Sequence, residues 1–175
     1  FVFDKAGKFL YKIGTKGQGA GEYAFISDFN INPFSGNLEI LEPYGRIHVY
    51  SLLGYFIETK RISYPEFKVA HSLAALDNDI YVSHSLFEPK KIAYFDLNKQ
   101  ELLHEEFEED MAIGSYSQIP YQYKDEWFFY RPFHPIVYKI GKKQLEASFK
   151  FDFGKYTKDG RTAVLSQEAK MNFTI

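Results

Sequence analysis

A strand–turn–strand unit recurs four times along the chain, and this recurrence limits its fold more than any other feature. Val2-Phe3-Asp4-Lys5-Ala6-Gly7-Lys8-Phe9-Leu10-Tyr11 reads as a strand, a tight turn and a second strand. Gly7 stands where the turn needs positive φ. The same order returns at Val49-Tyr50-Ser51-Leu52-Leu53-Gly54-Tyr55-Phe56-Ile57. It returns again at Tyr94-Phe95-Asp96-Leu97-Asn98-Lys99-Gln100-Glu101-Leu102-Leu103, with Asn98-Lys99 expected at the turn, and at Val137-Tyr138-Lys139-Ile140-Gly141-Lys142-Lys143-Gln144-Leu145. Successive units lie 47, 45 and 43 residues apart. A period in the forties built from short strands points to β-propeller blades rather than to helical solenoids.

The stretches between these hairpins supply two more strands per period. Residues 25–32 and 38–41 flank the turn cluster 33–37. Residues 72–76 and 80–83 flank Asp77-Asn78-Asp79, and residues 118–123 and 126–130 flank Lys124-Asp125. Each second strand stops near a proline (Pro43, Pro89, Pro132), which cannot donate to a ladder. The expected organisation is an all-β chain of four-stranded antiparallel blades. The outer hairpin of a preceding blade occupies 1–14, and three blades occupy about 22–62, 68–107 and 115–151. Residues 155–175 read as a connecting loop or short helix, because Ser166 precedes helix-forming Gln167-Glu168-Ala169-Lys170.

Composition narrows the function. Aromatic residues make up 19% of the chain, which suits pleated, half-buried surfaces. The net charge of −2 offers no basic excess to neutralise phosphates, so nucleic acid is not an expected partner. The absence of cysteine removes disulfides, thiol catalysis and cysteine-based zinc sites. No apolar run reaches the ~20 residues of a transmembrane helix. The chain opens on Phe1 without a visible signal peptide, and reads as an internal segment or a processed form.

Phe3-Asp4 with Gly7-Lys8-Phe9, then Ile13-Gly14, then Gly17-Gln18-Gly19-Ala20-Gly21-Glu22-Tyr23 and Asp28-Phe29-Asn30-Ile31, resembles the NHL-repeat propellers. The similarity is greatest to a bacterial six-bladed β-propeller family of exported proteins. There the loop reads G-x-G-x-G-E-[YF], with proline usual where Ala20 stands. The resemblance implies a location in the periplasm or at the cell surface, with a lipid anchor outside this segment. Six blades at this period would need roughly 270 residues. The chain is therefore expected to be a fragment of such a ring, or a four-bladed ring closed by its two terminal pieces. Bare sheet edges would invite oligomerisation or pairing with another chain.

In such a ring, ligands bind on the side formed by the inter-blade loops and by the loops at 42–46, 84–89 and 131–135. These loops, with the strand end at Tyr130, hold the candidate ligand-binding residues Tyr44, Arg46, His84, Tyr130, Arg131 and His134. Aromatic faces beside Arg and His suit a carbohydrate, a peptide or a protein partner. The same residue types are also ordinary at turns and between packed sheets. His71, His84 and His134 recur near this side, but without a consistent blade position or local carboxylates, so no metal and no cofactor is expected. Asp77-Asn78-Asp79 reads as a bare turn rather than a calcium loop, and Asp152-Phe153-Gly154 as a strand end. The four glycines of 14–21 lack the Lys-Ser/Thr ending of a P-loop and read as an inter-blade crossing. Glu105, Glu106, Glu108, Glu109 and Asp110 read as a solvated acidic loop.

No catalytic constellation stands out. The expectation is a binding or scaffold module rather than an enzyme. The alternative is a lyase or hydrolase acting on a sugar or ester, with its catalytic ring partly outside this segment.

Overall fold

The computed structural model of the protein describes residues 1–64, 69–85, 90–108, 120–130 and 135–152. These residues are all β. The chain begins with an antiparallel pair, β1 (Val2–Phe3) and β2 (Phe9–Tyr11), and a parallel pair, β3 (Thr15–Lys16) and β4 (Glu22–Tyr23). Three four-stranded antiparallel sheets follow in chain order. The first holds β5 (Asp28–Ile31), β6 (Leu38–Leu41), β7 (Arg46–Tyr50) and β8 (Phe56–Arg61). The second holds β9 (Ser72–Ala75), β10 (Ile80–His84), β11 (Lys90–Asp96) and β12 (Glu101–Glu108). The third holds β13 (Tyr121–Tyr123), β14 (Glu126–Tyr130), β15 (Ile136–Ile140) and β16 (Leu145–Lys150). Among the described residues no helix is long and apolar enough to cross a membrane.

The recurring hairpin has a recurring local cause. In three of the four hairpins the short polar residue after the apolar pair accepts backbone N–H groups of its own turn. Asp4 Oδ1 takes the amides of Ala6 and Lys8, Ser51 Oγ that of Tyr55, and Asp96 Oδ1 that of Lys99. Gly7 and Gly54 then supply positive φ. In the third hairpin this conformation falls on Gln100 (φ 56°), one residue beyond the expected Asn98-Lys99. The ladder register also shifts at the same place in all four hairpins: Val2/Phe3, Val49/Tyr50, Tyr94/Phe95 and Val137/Tyr138. Such a bulge bends the strand and raises its twist.

Strand alternation decides which side chains meet between sheets. Leu41, Ile47 and Val49 of the first sheet pack on Leu73, Ala75, Tyr81 and Phe95 of the second. The opposite face of the second sheet, with Ala74, Val82, Ile92 and Tyr94, packs on Trp127, Phe129 and Ile140 of the third. Tyr50 and Ile40 point the other way from the first sheet, and meet Ile13, Val2, Tyr11 and Tyr23 of the N-terminal region. The second sheet is therefore buried on both faces.

Several local expectations change. The first strand of the first sheet begins at Asp28, not Phe25, and its counterpart in the second sheet ends at Ala75. The glycine-rich stretch contains the unexpected β3–β4 pair. Gly17 N donates to Tyr23 O, and Glu22 Oε2 accepts Gly19 N, so the turn closes on itself. Glu105, Glu106 and Glu108 lie within β12 rather than in a loop. The segment 155–175 falls outside the described residues.

Candidate functional site

The turn joining β6 to β7 is the candidate loop that the described residues cover in full. Glu42 is buried there, and a buried carboxylate needs partners. Its Oε1 accepts Ala24 N at 2.6 Å. Its Oε2 lies 2.9 Å from Arg46 Nε and 3.6 Å from His48 Nε2, while His48 Nδ1 sits 3.2 Å from Thr59 Oγ1. Pro43 O accepts Ala70 N, and Gly45 O accepts Ile62 N, both at 2.8 Å. Gly45 has φ +75°, and a Cβ there would lie 2.7 Å from Ile62 O. Tyr44 projects from this anchored tip, 72% exposed, beside the half-exposed Arg46 side chain. A guanidinium held through Nε keeps its outer N–H groups for a carboxylate or a hydroxyl-rich ligand.

His84 has a different setting. It closes β10 rather than lying in a loop, and only 1% of its surface is exposed. Its ring centroid is 5.7 Å from that of Phe129 and 6.4 Å from that of His71, so it packs between the second and third sheets. Nearby, Ser83 Oγ donates to Ser72 O at 2.7 Å, and His71 N donates to His84 O at 2.8 Å. The hydroxyl of Ser72 is buried without a hydrogen-bond partner among the described residues.

Tyr130 ends β14 and packs edge-on against Tyr121 at 6.2 Å. It lies on the face of the third sheet opposite Phe129. Arg131 and His134 lie outside the described residues. Tyr44 and Arg46 thus share one turn, His84 is an inter-sheet packing residue, and Tyr130 belongs to a separate aromatic face. Asp77 is engaged by Lys142 Nζ at 2.9 Å, whose hydrogen bond holds its carboxyl below the usual range. Glu106 accepts Leu145 N at 2.8 Å and meets His104 Nε2 at 3.1 Å, which ties the acidic strand to the third sheet. Glu109, Asp110, Phe153 and Gly154 lie outside the described residues. Among those described, no group of three or more His, Asp or Glu side chains is placed to hold a metal ion.

Two polar devices escaped the sequence reading. In β5, Asp28 Oδ2 accepts Leu73 N at 2.9 Å, and Asn30 Nδ2 donates to Leu73 O at 2.6 Å. Two side chains thereby grip both backbone polar groups of one β9 residue. Burial raises the Asp28 carboxyl above its ordinary value despite these bonds. At the other end of the same interface, Tyr81 Oη donates to Glu39 Oε1 at 2.7 Å, and Asn32 Nδ2 donates to it at 3.0 Å. Lys60 Nζ donates to Tyr81 Oη at 2.9 Å and stands 3.9 Å from Glu39. Burial raises both Glu39 and Tyr81. Strand alternation could have flagged Glu39 as an inward-facing carboxylate. Nothing in a single sequence names its partner 42 residues away.

The fold is similar to a crystal structure from Bacteroides fragilis NCTC 9343, of a protein provisionally described as exported. The TM-score is 0.71 at 19% identity, over 86% of this chain and 44% of that one. The chain thus spans less than half the length of the solved structure it matches. No curated protein matches it. The family model described as a domain of unknown function, DUF4934, matches residues 1–172, and the chain belongs to that family.

Proposed function

We propose that the stacked sheets are blades of a β-propeller of NHL-like type, and that the protein is a non-enzymatic binding or scaffold module. Three sheets stacked in chain order, with β5 reaching β9 through Asp28 and Asn30, support the propeller reading. The ligand is a sugar, peptide or protein held on the side of the β6–β7 and β10–β11 connections. The Glu42-anchored turn carries this reading, because it presents an exposed tyrosine and an oriented arginine from a rigid base. Export to the periplasm or cell surface is supported by the description of the B. fragilis protein.

The test is a calorimetric screen of soluble oligosaccharides and carboxylate-bearing peptides. A hit should lose about tenfold or more in affinity in Tyr44→Ala and in Arg46→Ala, with the melting temperature of unliganded Tyr44→Ala unchanged and that of Arg46→Ala lowered, because buried Glu42 loses its cationic partner. Binding that neither substitution weakens, or turnover of a sugar or ester by the pure protein, would overturn the reading.

A further inference from the structure

The face of the first sheet that points away from the second is covered over only half its width. Its outer part, Ile40 and Tyr50, is buried under Val2 and Tyr11 of the β1–β2 hairpin and under Ile13 and Tyr23. Its inner part is bare: Phe29 is 64% exposed and Ile31 53%, both on β5. The corresponding positions of the second sheet, Leu73 and Ala75 on β9, are buried against a complete four-stranded neighbour. The β1–β2 pair carries the same register shift as the third and fourth strands of every complete sheet. It is therefore the outer half of a sheet. Among the described residues, the edge of β1 where a second strand would pair carries none. Large exposed apolar patches and unpaired strand edges are each liabilities for a soluble protein, and here one addition would remove both.

We propose that two further strands of the same protein's polypeptide add antiparallel to the free edge of β1 and lay an apolar face over Phe29 and Ile31. The proposal rests on the stacked-blade reading above, and goes beyond it in naming the face, the edge and the number of strands. Continuity with the packing of Ile40 and Tyr50 fixes the position of the occupant. The longer B. fragilis structure, of which the match covers 44%, is consistent with additional strands.

These 175 residues contain no cysteine, so once any cysteine elsewhere in the full-length protein is replaced by serine, single thiols make clean probes. Phe29→Cys and Ile31→Cys would be made in the protein as encoded by its full gene, with Leu53→Cys, 74% exposed in the β7–β8 turn, as the reference. Alkylation by iodoacetamide would be followed under native conditions. The expected result is at least about tenfold slower reaction at positions 29 and 31 than at 53, independent of protein concentration. Equal rates would overturn the proposal. Protection that vanishes on dilution would also overturn it, in favour of a second copy on this face. Where a variant fails to fold, amide exchange of the unmodified protein decides: strong protection of both Val2 and Phe3 supports the added strands, and rapid exchange of either refutes them. Solution scattering separates this from failure of the blade reading, since an open stack remains a stack even if the face proves bare.

Discussion

Glu39 shows how a single buried carboxylate ties two sheets and makes the tie depend on pH. Its Oε1 receives hydrogen bonds from Tyr81 and Asn32, and Lys60 stands close by. Burial nevertheless raises its pKa above the ordinary 4.5, and Glu58 adds to the rise. The folded state therefore holds this proton more tightly than the unfolded chain does. The associated stability is fully present below the unfolded pKa and is lost as pH rises through the folded one. Asp28 is raised by burial too and acts in the same direction. Glu39→Gln should accordingly gain stability relative to the parent as pH rises from about 4 to about 8. Urea midpoints of the two proteins across that range measure the difference; a constant offset would contradict it.

The elements were legible where their cause is local. Asp4, Ser51 and Asp96 were visible as the short polar position of a repeated hairpin, and each caps its own turn. The second strands, 38–41 and 126–130, followed from alternation between turn residues. What failed was set by tertiary contact. Phe25 has strand propensity, yet the ladder begins at Asp28, whose side chain grips Leu73 45 residues on. His84 looked like a loop residue because Pro89 follows, but it packs on Phe129 from a different sheet. Of the candidate ligand-binding set, the turn at Tyr44 and Arg46 was readable from Pro43 and Gly45. The buried Glu42 that stiffens it was not singled out, because its partner Ala24 is distant in sequence. The β5–β9 tie should be measurable. Asp28→Ala leaves Leu73 N without its acceptor and should cost about 1–3 kcal/mol in equilibrium unfolding. Asn30→Ala in the same background should cost less than it does alone, because both side chains act on the backbone of one residue.

At the scale of the molecule, the stability of residues 1–175 on their own should be graded along the stack. The second sheet is covered on both faces, whereas the first leaves Phe29 and Ile31 open and the third leaves Tyr123 and Phe149 open. Nearest-neighbour stacking of this kind makes the middle unit the last to open. Native-state amide exchange should be slowest in β9, β10 and β11 and faster in β5 and β13; a uniform pattern would count against it. The four recurring bulges have a consequence beyond the fold. Each lies in the pair that includes the outermost strand: β2, β8, β12 or β16. A bulge bends and twists a strand edge, and β8 and β12 also carry charge through Glu58, Lys60, Arg61, Glu101, Glu105 and Glu106. A flat, apolar edge would seed fibrils by templating strands from other molecules. A single irregularity, repeated at every hairpin, works against such templating in an aromatic-rich chain.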